Sequence, residues 1–172
     1  MNDFSHQINP VRLRVLHPVY DLKLFRQAWK WMESKPDWFK ESMATWKMTE
    51  KEYFQNIHRP SQVDLGVFHH SKFVGLITFD EISPRVVEAH LDCEENTDSQ
   101  IIVKAIQLAT QHAFDSGVLI GVVWVQSFNR PILKIYEQVG FYPTNISIFR
   151  GKCKKRVVEW KQFVAKNPNQ LK

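Results

Sequence analysis

Residues 86–93 (VVEAHLDC) alternate in character, with Val87, Ala89, Leu91 and Cys93 on one side of a strand and Glu88, His90 and Asp92 on the other. A polar row on a central strand either faces a cleft or spoils the core, and facing a cleft costs less. His90 has the intrinsic pKa best suited to proton transfer near neutrality, and Glu88 is a carboxylate on the same face that acts directly or through water. The same pair also fits a surface or hydrogen-bonded structural role. A second set lies in residues 129–141 (NRPILKIYEQVGF), where Asn129 and Tyr136 are polar groups among core-type Ile135, Val139 and Phe141. Cys93 has no positioned histidine that would make it a nucleophile. Adjacent His69 and His70 point in different directions and lack a third ligand nearby, and Cys93 and Cys153 show no metal-ligand spacing, so no metal site and no disulfide framework is expected.

The elements that must position these groups can be read from periodicity. Residues 11–16 alternate as a first strand, with Val11, Leu13 and Val15 on one face. Asp21 is placed to cap a helix over residues 22–32, Pro36 breaks the chain, residues 38–46 form a short helix, and Thr49 with Glu52 makes a capping box for a helix over residues 50–57. Trp29, Trp31, Trp38, Phe39, Trp46, Tyr53 and Phe54 make this front part aromatic, most of them as core. Residues 63–68 and 73–79 form a hairpin about the turn 69–72, and residues 80–84 form a loop before the central strand. Asp98 or Ser99 caps a helix over residues 99–116 that Gly117 ends. A strand over residues 119–125 leads to a short helix with Asn129 at its N-cap, Pro131 in its first turn and Gly140 at its end. Residues 142–149 are strand-like, completing a βαβ unit, and residues 145–150 with 157–163 make a closing hairpin.

With 172 residues, 44% of them hydrophobic and 13% aromatic, the chain is long enough for one core and has no composition break, so one domain is expected. No apolar run approaches the ~20 residues that cross a bilayer. Residues 1–10 are polar and lack the apolar segment of a signal peptide, so a cytoplasmic protein with reduced thiols and no membrane partner is expected. The net charge of +5 is concentrated near Arg150, Lys152, Lys154, Lys155 and Arg156, which read as a solvated hairpin tip. No nucleic-acid module accompanies them, so nucleic acid is not the expected partner.

The order of Asn129, Ile132, Ile135, Tyr136, Glu137, Gly140 and Phe141 resembles the N-x-x-A-x-x-L-Y-E-x-x-G-F signature of the GNAT superfamily of N-acetyltransferases. The resemblance implies an α/β fold of the GNAT (acyl-CoA N-acyltransferase) type: a mixed, mostly antiparallel sheet, helices on both faces and a splayed parallel strand pair. It implies acetyl-CoA as co-substrate, direct attack by a small-molecule or protein amine, and an assembly that extends to a homodimer. Tyr136 matches the position of the general acid, with Glu88 and His90 as candidates for the base. Leu91, Asp92, Cys93, Thr97, Asp98, Ser99, Gln100, Ile101, Asn129 and Tyr136 match the cofactor-binding positions.

One departure stands out. The family places R/Q-x-x-G-x-G/A where this chain has Thr97, Asp98, Ser99 and Gln100, without glycine or arginine. Glycines there let bare backbone N–H groups cradle a pyrophosphate. Asp92, Glu94, Glu95 and Asp98 instead bring four carboxylates to the neighbourhood, each costing on the order of 1 kcal/mol against an anion if it faces the site. The alternative reading is therefore a GNAT-fold binding or assembly module that has lost catalysis, as in similar small phage-encoded proteins.

Overall fold

The computed structural model describes residues 11–36, 40, 49–57, 59–153 and 156–170. The expected helix over residues 38–46, with Trp38, Phe39 and Trp46, lies outside them, as do the start of the chain and the side chains of Arg150, Lys152, Cys153, Lys154, Lys155 and Arg156. In chain order the elements are β1 (Arg12–Val15), α1 (Leu22–Glu33), α2 (Glu50–Asn56), β2 (Gln62–His69), β3 (Lys72–Ser83), β4 (Val86–Cys93), α3 (Ser99–Asp115), β5 (Ile120–Gln126), α4 (Arg130–Gln138), β6 (Tyr142–Cys153) and β7 (Arg156–Lys166), followed by a 3-10 turn at Pro168–Gln170.

The seven strands form one sheet in the order β1-β2-β3-β4-β5-β7-β6. Every neighbouring pair is antiparallel except β4 with β5. The chain therefore has the mixed sheet expected from its sequence. In the β5-α4-β6 unit, β7 is inserted between the two strands, so the crossover joins strands that are not neighbours.

Helices cover both faces. On one, Phe25, Ala28 and Trp29 of α1 and Tyr53 of α2 pack with Leu16, Phe73 and Leu76. On the other, Ala105, Ala109 and Ala113 of α3 lie over Leu65, Val67, Ile77 and Val87, and Leu133, Ile135 and Tyr136 of α4 join Val123, Val125 and Phe163. Small alanines on α3 let the helix approach the branched side chains of the strands closely.

Local signals explain most boundaries. The Thr49–Glu52 capping box forms in full, and Asp98 caps α3 by accepting from Gln100 N at 2.7 Å. His70 and Ser71 both take positive φ, 48° and 63°, which is the backbone of a tight hairpin turn whose twist matches its strands. Three expectations are corrected. The segment 80–84 is not a loop: β3 continues to Ser83 because the ladder runs on to the pair Ser83–Val86, and its exposed polar end resembles a turn only in composition. Val15 faces outward at 55% exposure, while Leu16 is buried. Asp21 sits at the N-cap of α1 without a side-chain cap bond; its carboxylate instead accepts from Arg14 Nη2 at 2.8 Å and from His17 N at 2.9 Å.

Candidate active site

Strands β4 and β5 remain paired over Val86–Ile120, Val87–Gly121 and Glu88–Val122 only. Beyond Glu88, β4 keeps β3 as partner as far as Cys93, and β5 keeps β7 as far as Gln126. Their facing edges, residues 89–93 and 123–126, have no ladder partner in each other. The sequence reading expects this splay at the C-terminal ends of a parallel pair, where open α/β sheets bind ligands. The gap opens a cleft of about 230 Å³ whose walls include His90, Asp92, Cys93, Trp124, Asn129 and Tyr136. Two strand edges without a ladder between them suit an extended ligand that carries amides of its own.

Because successive side chains on β4 point to opposite faces, the cleft joins two environments. Leu91 and Cys93 face α4 and pack against its cluster, where Tyr136 is 6% exposed and meets the Phe141 ring edge-on at 5.2 Å. Burial foremost, with the neighbouring Cys93 second, pushes the Tyr136 phenol well above the usual tyrosine range, so it is a protonated donor at neutral pH. Burial likewise raises the Cys93 thiol, against the pull of Lys35. A neutral thiol is a poor nucleophile.

His90 and Asp92 lie on the other face. The His90 Nε2 is 3.3 Å from Glu88 Oε1 and 3.8 Å from Asp80 Oδ2, with the imidazole 48% exposed. Glu88 is not on the cleft wall and reaches it through His90. Register explains the trio: Asp80 pairs directly with Glu88, and Thr78 with His90. Asp80 escaped the sequence reading because its segment resembled a loop. Lys35 and Trp124, also on the cleft wall, escaped it because one follows a helix end and the other sits inside an apolar run, and neither carries a motif.

Asn129 occupies the N-cap of α4 but makes no side-chain cap bond. Asn129 is instead among the residues that line the cleft. Thr97, Asp98, Ser99, Gln100 and Ile101, at the start of α3, are not among the lining residues.

The four carboxylates do not converge as the sequence suggested. Asp92 is on the opposite face from α3. Glu94 accepts from Lys72 Nζ at 2.6 and 2.8 Å, Glu95 is exposed, and Asp98 is engaged in its own cap. Asn96 takes the left-handed backbone, φ 66°, that a glycine would otherwise supply in this loop. The remaining obstacle is local: the Gln100 amide at the helix start already holds the Asp98 carboxylate, so an anion there must displace it.

No family model matches the chain, and no curated protein matches it. Solved structures do. The dodecameric spermidine N-acetyltransferase of Vibrio cholerae is 18% identical, with 94% of this chain and 96% of that one covered at a TM-score of 0.72. A ribosomal alpha-N-protein acetyltransferase in complex with coenzyme A is 14% identical, with 93% and 98% covered at the same TM-score of 0.72. The chain has the GNAT acyltransferase fold, along nearly its whole length. Among the described residues, no helix is long and apolar enough to cross a membrane.

Proposed function

We propose that the protein is an N-acetyltransferase that moves an acetyl group from acetyl-CoA to an amine by direct attack. The observation that carries this reading is a single cleft with a buried, protonated phenol on one wall and an imidazole backed by carboxylates on the other. The solved neighbours, one an acetyltransferase of spermidine and one in complex with coenzyme A, support the same chemistry.

The residues present fit the thioester arm better than the pyrophosphate. The unpaired edge of residues 89–93 and the uncapped Asn129 amide offer hydrogen bonds to an extended chain, whereas Asp98 occupies the helix start. Acetyl-CoA, when bound, supplies the activated acyl carbon. His90, whose Nε2 lies beside the Glu88 and Asp80 carboxylates, takes a proton from the acceptor ammonium, leaving the lone pair that forms the C–N bond. Tyr136 gives its phenolic proton to the sulfur as the C–S bond breaks. The nitrogen sheds its second proton as the amide forms, which restores the Tyr136 phenol, and His90 releases the first to solvent, so the products are an N-acetyl amine, the free thiol of CoA and one proton. Cys93 stays a thiol throughout.

The assembly-module alternative, suggested by the missing glycines, is not favoured: Asn129 and Tyr136 both line the cleft, and three of the four nearby acids are engaged elsewhere or exposed. Incubation with acetyl-CoA and an amine is expected to give acetylated amine and free thiol in equal amounts, followed by mass spectrometry and thiol titration. Thiol release without acetylated amine would contradict the proposal.

A further inference from the structure

Between α3 and the sheet, behind the cleft, lies a second cavity of about 20 Å³. Its lining is apolar but for Thr110 and His90, and it shares Ala89, His90, Leu91 and Tyr136 with the cleft. We propose that this cavity receives the end of the donor's acyl chain, and that its size favours a three-carbon acyl group, propionyl, over acetyl. The proposal rests on the acetyltransferase reading for the place of the thioester and concerns which acyl group that site moves.

The cavity exists because small residues meet where the sheet begins to part. Gly121 of β5 pairs with Val87, one pair before β4 and β5 separate, and Ala109 and Ala113 of α3 pack in one cluster with Val87. All three small residues line the cavity. A Cβ at Gly121 would have only the Phe141 ring within 4 Å, at 3.9 Å, so the space beneath the helix is open at that point. Native cores keep few voids larger than a water molecule, and an apolar one stays dry and accepts apolar groups.

The thioester delivers the acyl chain to this place. Tyr136, 6% exposed, lines both spaces; as the acid it stands at the sulfur, and the acyl carbon is one bond further on. Past the last pair, Glu88 with Val122, the next residue of β4 is Ala89, which is small and borders both the cleft and the cavity. A chain leaving the thioester carbon on the Tyr136 side therefore runs from the cleft toward apolar walls. The bonds exchanged are those of acetyl transfer: the C–S bond breaks as sulfur takes the Tyr136 proton, the amine lone pair forms the C–N bond, and CoA thiol and one proton are released. The third carbon takes no part in the chemistry and adds contact only.

Volume sets the chain length. One water-sized group needs ~10–15 Å³ of such space, so a cavity of about 20 Å³ takes one methyl group and not two.

Titration calorimetry of the full chain with acetyl-, propionyl- and butyryl-CoA tests this, alongside acyl transfer from each donor to one amine. Propionyl-CoA is expected to bind ~4-fold tighter than acetyl-CoA, the worth of one buried methylene. Butyryl-CoA should gain nothing further, because overfilling a packed site costs more than the added burial returns. Gly121→Ala puts a methyl into the cavity at ordinary contact distance from Phe141 and should bring the ratio of propionyl-CoA to acetyl-CoA affinity to about 1 or below. Its melting temperature should be unchanged or higher, since alanine is the less costly residue within a strand, so a lost preference reports the cavity and not misfolding. Equal affinity for acetyl- and propionyl-CoA in the wild-type chain, a further gain with butyryl-CoA, a propionyl preference that survives Gly121→Ala, or no binding of any donor overturns the proposal. Acetyl transfer with propionyl-CoA rejected also overturns it, yet leaves the acetyltransferase reading intact. Conversely, tighter binding of propionyl-CoA without transfer from any donor supports the cavity's role and defeats that reading instead.

Discussion

Tyr136→Phe is expected to lower the rate of acetyl transfer by ~10² to 10⁴-fold, the usual worth of a positioned general acid. The substitution keeps the ring, its edge-on contact with Phe141 and its place in the α4 cluster. Among the described residues, the hydroxyl holds no hydrogen bond whose loss would unsettle the fold. Melting temperature should therefore change little, and the loss should fall on kcat with acetyl-CoA affinity nearly unchanged. The loss should also shrink for thioesters whose thiol is more acidic, because a better leaving group needs less help from the acid. A rate that survives undiminished contradicts the role given to Tyr136.

The second large effect is expected on the opposite wall. His90→Gln removes the imidazole that stands between Glu88 and Asp80, and kcat/KM at neutral pH should fall by ~10²-fold or more. The sign of the pH dependence separates a base from a structural group. At neutral pH an aliphatic acceptor is almost wholly ammonium, since such amines titrate near ~10. Raising the pH supplies free amine without the enzyme's help, so the gap between variant and wild type should narrow as pH rises. Glu88→Gln should give a smaller loss, because its carboxylate acts through His90 and Asp80 remains. A deficit that is constant with pH would mark His90 as structural.

Much of this site was legible in the sequence because its determinants are local. The alternation of residues 86–93 alone separates Glu88, His90 and Asp92 on one face of the strand from Leu91 and Cys93 on the other. The N-cap position of Asn129, Pro131 in the first turn and the positive φ of Gly140, 91°, fix α4 and thereby Tyr136. Properties set by partners distant in sequence were not legible. Whether an acid faces a ligand depends on its neighbours: Glu94 is engaged by Lys72 on the far hairpin, and Asp98 by its own helix. The same loop reads as four convergent charges in one dimension and as scattered ones in three. Asn129 shows the converse, since its residue type suggests a cap, yet its side chain makes no cap bond and the residue lines the cleft.

The central claim is that the gap between β4 and β5 receives acetyl-CoA. Titration of the purified chain with acetyl-CoA and with CoA tests it most directly, read by tryptophan fluorescence, because Trp124 and Trp160 line the cleft, and by calorimetry in parallel. The account predicts saturable binding of both below ~1 mM, the upper end of ordinary substrate affinities, with Cys93 shielded from alkylation in the bound state. No heat, no fluorescence change and no shielding of Cys93 at that concentration would contradict it.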